Sequence, residues 1–275
     1  MRLFVRHTTH YAFSEPQRRL IQLLRVTPGS FSGQQIVDWQ INVGCDVRLK
    51  PGRDGFGNET TMLYCDGPIE SLSLNIEGEV LTENRNGLVQ GAVEQLDPIV
   101  YLRETPLTRT SAAIGDFAET IRTGEAGTIA RLHRLMTELH ARIRFDPDET
   151  HVHRDAESAF SEGVGVCQDH AHMFIAAARA MGVPARYVSG HLFHRDRADA
   201  LLPAAHAWAE AWVDDLGWVG FDPANAICPD ECYIRVAIGL DYRDAAPVSG
   251  ARIGGGTETL SVGVTVSQAQ VQVQN

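Results

Sequence analysis

The chain has 275 residues, 44% of them apolar and 21% charged, with 24 basic against 35 acidic side chains and a formal net charge of −11. Such a chain is long and apolar enough for one large globular domain or two modest ones. Its acidity argues against nucleic acid or an anionic membrane as the main partner. No apolar run approaches a membrane span, and even the most apolar helical segment contains Arg179. The first residues, Met1 to His7, meet a charge before any apolar run becomes long enough for a signal peptide, so the expected location is cytoplasmic. The five cysteines, Cys45, Cys65, Cys167, Cys228 and Cys232, fit free thiols better than a disulfide framework.

Residues 1 to about 95 read as strands and turns. Leu20 to Val26, Ile36 to Val43 and Thr60 to Tyr64 are candidate strands. Turn clusters lie between them at Thr27–Ser30, Lys50–Gly55 and Phe56–Asn58. From Ser71 to Val80 apolar residues alternate with polar ones, the pattern of a half-buried antiparallel strand. A small all-β domain results, a sandwich or an open barrel. His7 and His10 lie close together, but they read as surface or packing residues rather than ligands.

The period changes near Asp97-Pro98. Ser111 to Arg122 suggests a short helix, and Thr128 to Arg142 a clearer one with Ile129, Leu132, Leu135, Met136 and Leu139 on one face. A polar loop through His151-Val152-His153 follows, then one helical turn at Ala156 to Phe160. The segment Gly163-Val164-Gly165-Val166-Cys167 then runs into a helix with Ala171, Phe174, Ile175, Ala178 and Met181 on one face, stopped by Gly182 and Pro184. Beyond it the period becomes two. Arg186 to Leu192, His206 to Val213, Trp218 to Phe221 and Tyr233 to Leu240 are strands, with a hairpin turn at Asp214–Gly217. Gly250 to Gly256 reads as a flexible joint. Thr259 to Gln274 reads as one long strand with a bulge near Ser267-Gln268, where the apolar register slips.

Cys167 falls in the first turn of its helix, where unpaired N–H groups and the helix dipole favour a thiolate. His206 starts one strand and Asp222 ends the next, so a hairpin brings them close. The set suits nucleophilic catalysis: Cys167 attacks an acyl carbon, His206 moves the proton, and Asp222 orients the imidazole. The Cys167 N–H would supply one oxyanion donor; the second donor is not identified.

The block Gly163–Asp169 resembles the core of the transglutaminase-like superfamily. So do Val183–Gly190, His206-Ala207-Trp208-Ala209-Glu210 and Gly217–Pro223. Val5–Tyr11 and Asp54–Asn58 resemble the β domain that precedes this core in a bacterial subfamily. The resemblance implies an α+β fold: an N-terminal all-β, sandwich-like domain over residues 1–100, then a papain-like core over 101–275 with a nucleophile helix on an antiparallel sheet and a C-terminal strand extension. It implies thiol chemistry on amides, with Cys167, His206 and Asp222 as nucleophile, base and orienter. It leaves open hydrolysis, cross-linking or lost catalysis. No calcium-binding acidic loop is visible, and neither a cofactor nor a metal is expected.

Other motifs have plainer readings. Asp169 in a first helical turn stabilises the dipole before anything else. His170 and His172, with the pair His151 and His153, could be drawn with His206 as a zinc site, but one helix face cannot present Cys167, His170 and His172 together. Cys228 and Cys232 read as two ordinary thiols. Trp208, Trp212, Trp218 and Tyr187 read as packing, although Trp208 and Trp218 flank the histidine and aspartate motifs and could shield their hydrogen bond. The expected function is cysteine-protease-like hydrolysis, or acyl transfer, on a protein or peptide amide. The alternatives are a non-enzymatic binding or assembly module on the same scaffold and a metal-dependent hydrolase built on the histidines.

Overall fold

The computed structural model describes residues 1–147, 154–196, 201 and 205–268. The first strand, β1, spans Arg2–Leu24 rather than starting near Leu20. Leu3, Val5, His7, Thr9 and Tyr11 form its buried row. Two polar residues inside that row conceal its period from a hydropathy reading. They satisfy each other, with His7 Nε2 3.2 Å from Thr9 Oγ1.

After β2 (Gln34–Val43) comes β3 (Arg48–Arg53), where the sequence suggests a turn. Pro51 and Gly52 pair with Thr61 and Thr60 of β4 (Glu59–Thr82). Among the described residues β3 pairs with no other strand, and an edge strand is where proline is tolerated. β4 runs antiparallel to β1 along almost its whole length, with register shifts between Ala12 and Arg19. At that bend the sheet folds over on itself. Leu20, Leu24 and Leu63 from one half join Leu72, Leu74 and Ile76 from the other in a single buried cluster. The N-terminal region is thus sandwich-like.

The short β5 (Leu88–Val89) leaves this sheet for the next one. Helices α1 (Ala112–Gly124) and α2 (Thr128–Arg142) follow, the first capped by Ser111, whose Oγ accepts from the Ile114 N–H at 3.3 Å. Next come β6 (Arg144–Phe145), α3 (Ala156–Glu162), β7 (Val164–Gly165) and α4 (Cys167–Ala180). The second sheet is built from β8 (Ala185–Leu192), β9 (His206–Val213), β10 (Gly217–Phe221) and β11 (Tyr233–Gly239). Its order is β11-β8-β9-β10-β5, antiparallel throughout.

α4 packs on β8 and β9 beneath α1, α2 and α3. It is buried nearly all round, Arg179 included. That guanidinium donates to the carbonyls of Tyr101 (2.7 Å), Ala185 (2.8 Å) and Leu240 (2.8 Å) and to Thr108 Oγ1 (2.7 Å), so no donor row is left stranded in the core.

A short α5 (Tyr242–Ala245) leads to β12 (Val248–Ile253) and β13 (Glu258–Gln268). Both pair antiparallel with β1, so the end of the chain returns to the first sheet. Of the expected joint Gly250–Gly256, Gly250 to Ile253 are therefore in a strand, and Gly254 to Gly256 connect β12 to β13. A Cβ on Gly250 would fall 2.3 Å from the Ile21 carbonyl, so the glycine serves a close strand approach. β13 keeps a regular register through Gln268, opposite Leu3. The remainder of the expected strand lies outside the described residues. Among the described residues, no helix is long and apolar enough to cross a membrane.

Candidate active site

The approach to Cys167 is fixed before the helix begins. α3 ends at Gly163 in the left-handed region (φ 69°). Val164 and Gly165 then pair in parallel with Arg144 and Phe145. The Val166 N–H donates to Asp169 Oδ2 at 2.9 Å, so the first-turn carboxylate turns back and caps its own helix. Gly165 leaves room for this: a Cβ there would lie 2.8 Å from that carboxylate. Arg154 Nη1 lies 3.9 Å from the same oxygen. Cys167 is half-buried at the helix mouth, at the positive end of the α4 dipole.

His206 is the first residue of β9, and Asp222 directly follows β10, its hairpin partner. His206 Nε2 lies 2.7 Å from Asp222 Oδ2; Asp222 is fully buried and the histidine 15% exposed. Oδ2 also accepts from Tyr233 Oη at 2.8 Å and Asn225 Nδ2 at 2.7 Å. Oδ1 accepts from the backbone N–H groups of Ala224 (3.0 Å) and Asn225 (3.3 Å). Burial works against a charge on Asp222, but His206 and the hydrogen bonds from His206, Asn225 and Tyr233 hold its pKa below the usual carboxylate range. Burial likewise works against a charged imidazole. The Asp222 charge and hydrogen bond, with a hydrogen bond that the imidazolium donates to Cys167, nevertheless push His206 up to about 10. One ring nitrogen is committed to Asp222, and the thiol interacts with the imidazole as well. The structure thus brings Cys167, His206 and Asp222 together.

Two site residues escaped the sequence reading. Asn225 had a local signal, because Asp-Pro-Ala-Asn can fold its backbone N–H groups onto the aspartate as an Asx turn. Tyr233 had none, since it reads as the start of a strand and reaches Asp222 only through the sheet. Removing its hydroxyl strips a donor from a buried carboxylate. Tyr233→Phe is therefore expected to lose about 1.5–3 kcal/mol of stability, measured by urea denaturation. A loss below measurement error would show that the bond contributes nothing net.

The other motif residues lie elsewhere. His170 Nδ1 donates to the Val166 carbonyl at 3.0 Å, and burial lowers its pKa. His172 Nε2 accepts from the Tyr242 N–H at 3.1 Å, and burial pushes it down to about 4. His151 and His153 lie outside the described residues. Cys232 Sγ accepts from Arg195 Nε at 3.2 Å, and burial pushes the Cys228 thiol up to about 11. Trp208 stacks beside His206, with ring centroids 6.2 Å apart, and Tyr233 meets Trp208 edge-on. Gly190, opposite His206 in register, makes room for that indole: a Cβ would fall 2.6 Å from the Trp208 ring and 2.1 Å from the Ile234 carbonyl. Trp218 instead packs under the Arg186 guanidinium at 3.8 Å. Tyr187 packs against His172 with the rings tilted by 37°, and lines a cleft beside His206, between the second sheet and the first.

Residues 115–223 match the model of the transglutaminase-like superfamily, and residues 3–81 match that of the bacterial transglutaminase-like N-terminal region. An uncharacterized protein of Mycobacterium leprae (strain TN) is 29% identical over 286 residues, which is 97% of this chain and 99% of that one. A protein-glutamine gamma-glutamyltransferase of Pseudomonas aeruginosa is 31% identical over 114 residues, 35% of this chain and 16% of that one. The solved structure of a proposed cysteine protease from Cytophaga hutchinsonii superposes with a TM-score of 0.79 at 20% identity, covering 100% of this chain and 92% of that one. The two share the α+β fold with its N-terminal β region.

Proposed function

Because the chain belongs to the transglutaminase-like superfamily, with the bacterial N-terminal region ahead of its core, we propose that it is a cysteine hydrolase acting on peptide or related amides. One observation carries the reading: His206 spans a fully buried carboxylate 2.7 Å away and a thiol at the mouth of a helix. In this mechanism the Cys167 thiolate attacks the amide carbon while the Cys167 N–H donates to the developing oxyanion. A C–S bond forms and the C–N bond breaks. The His206 imidazolium gives its proton to the leaving amine. The neutral imidazole then takes a proton from water, whose oxygen attacks the thioester carbon; the C–S bond breaks, releasing the acid and restoring the thiolate–imidazolium pair. Asp222 keeps the imidazole oriented and its cation stabilised through both halves. Hydrolysis is favoured over transfer to an amine because it needs only water as acceptor. We take residues 1–100 and 101–275 as the two units, the C-terminal strand extension of the second returning to the first sheet, with a protein or peptide as substrate and the cytoplasm as location.

Iodoacetamide labelling across pH, with the modified cysteine mapped by mass spectrometry, tests the reading. Cys167 should label first, and His206→Ala should slow its labelling at neutral pH. Cys228 should lag, because burial raises its thiol. The sign of the high-pH limb follows from His206. Its pKa is raised, so the proton needed by the leaving amine is held at neutral pH, and kcat/KM should fall only as pH climbs toward about 10. An inert Cys167, or a profile unmoved by His206→Ala, would overturn the assignment.

A further inference from the structure

A cleft of about 130 Å³ opens beside His206 and beside Gln168, the residue after Cys167. Its two long walls come from different sheets. Tyr187 and Tyr242 line it from the core; Tyr11 of β1 and Leu260 and Val262 of β13 line it from the N-terminal sheet. Tyr11 and Leu260 are register partners, so this wall is one continuous strip of two paired strands. The volume is well below the roughly 300–1,000 Å³ of a whole small-molecule site, and it suits one side chain.

The lining is also selective in charge. The chain carries 24 basic and 35 acidic side chains, yet among the described residues no Asp, Glu, Lys or Arg lines this cleft. The Ser189 hydroxyl on its floor is already spent on the Ala245 carbonyl at 2.7 Å. Of the two histidines present, His7 is held neutral, since burial pushes it down to about 4. An ammonium entering here would lose water and meet no anionic side chain among the described lining residues, and the one cation a carboxylate would meet there, the His206 imidazolium, is already engaged by Asp222 and Cys167. Leu260 is 53% exposed in the free protein, so its side chain is open to a ligand at the cleft.

We propose that this cleft receives an uncharged, apolar side chain from the acyl side of the scissile peptide bond, and that the β1–β13 strip of the N-terminal sheet forms the specificity wall. The proposal rests on the cysteine-hydrolase reading of Cys167 and His206. It gives the N-terminal sheet a role in choosing substrate and identifies the substrate class as peptides with leucine-like or aromatic residues next to the attacked carbonyl.

The test uses peptide chloromethyl ketones, which alkylate a nucleophilic cysteine without the natural substrate being known. N-acetyl-dileucyl, dilysyl and diglutamyl chloromethyl ketones are compared on the full chain. Alkylation of Cys167 is followed by intact mass, and each rate is divided by the iodoacetamide rate of the same protein. The dileucyl probe should exceed both charged probes by about tenfold or more. Such a preference would oppose the attraction of a −11 chain for the cationic probe. Leu260→Glu should bring the dileucyl and dilysyl rates to within about threefold of one another, and Val262→Lys should do the same for the dileucyl and diglutamyl rates. Circular dichroism checks that both variants are folded.

Equal rates for all three probes on a wild-type Cys167 that iodoacetamide labels readily would overturn the pocket and leave the nucleophile reading standing. An undiminished leucyl preference in both folded variants would remove the N-terminal sheet from the pocket. A Cys167 that iodoacetamide fails to label would bring down the hydrolase reading, and the pocket with it.

Discussion

Asp222→Asn is expected to lower kcat by about 10⁴-fold, the scale on which a triad loses its correct histidine tautomer. The surroundings of Asp222 make the substitution harsher than a change of charge alone. Its two oxygens accept from His206, Tyr233, Ala224 and both nitrogens of Asn225. All of these donate, and an asparagine must turn its NH2 group toward some of them. Facing His206 and Tyr233, the amide would force the opposite tautomer on the imidazole. Facing the backbone N–H groups, it would leave buried donors unsatisfied at about 1–3 kcal/mol. Turnover and thermal midpoint should therefore fall together. Cys167→Ala is the cleaner control, because Cys167 is half-exposed at a helix end: turnover should vanish with the fold intact. Wild-type rates in the Asp222 variant would remove it from the catalytic group.

Glu210→Ala is expected to cost about 3–5 kcal/mol of folding stability, measured by urea unfolding, although Glu210 touches none of the reacting groups. Glu210 and Arg186 are both fully buried, 2.7 Å apart. Arg235 donates to the other Glu210 oxygen at 2.7 Å, and Arg186 holds Glu94 with two bonds of 2.7 and 2.9 Å. Burial would raise the Glu210 pKa, but Arg235 and Arg186 bring it down to about 2. A carboxylate whose folded pKa is depressed contributes stability that is present above its ordinary value and lost as pH falls. Acid sensitivity should therefore appear below about 4.5 and deepen toward 2. Truncating Glu210 leaves Arg186 buried with only the half-exposed Glu94. Exposed pairs such as Arg6–Glu77 have no such effect, at roughly 0–1 kcal/mol each. A loss under 1 kcal/mol for Glu210→Ala would mean that water repairs the network.

The parts of this fold that were legible in sequence are those where chemistry and period are local. α2 spans Thr128–Arg142 and β9 spans His206–Val213, as their apolar spacing indicates. Cys167, His206 and Asp222 stood out because each sits in a short block of distinctive neighbours. The misreadings share one cause, the dependence of a segment on a distant partner. Arg2 to Arg19 conceals its strand because the polar His7 and Thr9 of its buried row face the second sheet, where His7 meets the His191 ring 5.7 Å away. Pro51-Gly52 imitates a turn until β4 lies beside it. Gly250 imitates a hinge until β1 does. Tyr233 and Glu94 reach their partners, 11 and 92 residues away, only in the folded chain.

The pairing of β1 with β13 also bears on the order in which the molecule assembles. Leu3 lies opposite Gln268 and Tyr11 opposite Leu260, so this ladder closes a loop of nearly the whole chain. Such a closure has a high entropic cost and is slow, whereas the β9–β10 hairpin and the helices around α4 need only near neighbours. During synthesis β1 can zip to β4 early, but its other edge stays open until β13 leaves the ribosome. The wall beside His206 is thus among the last surfaces to form. A chain lacking β13 would carry its thiol and imidazole without the strip proposed to choose their substrate, and full selectivity would arrive only once β13 has paired with β1.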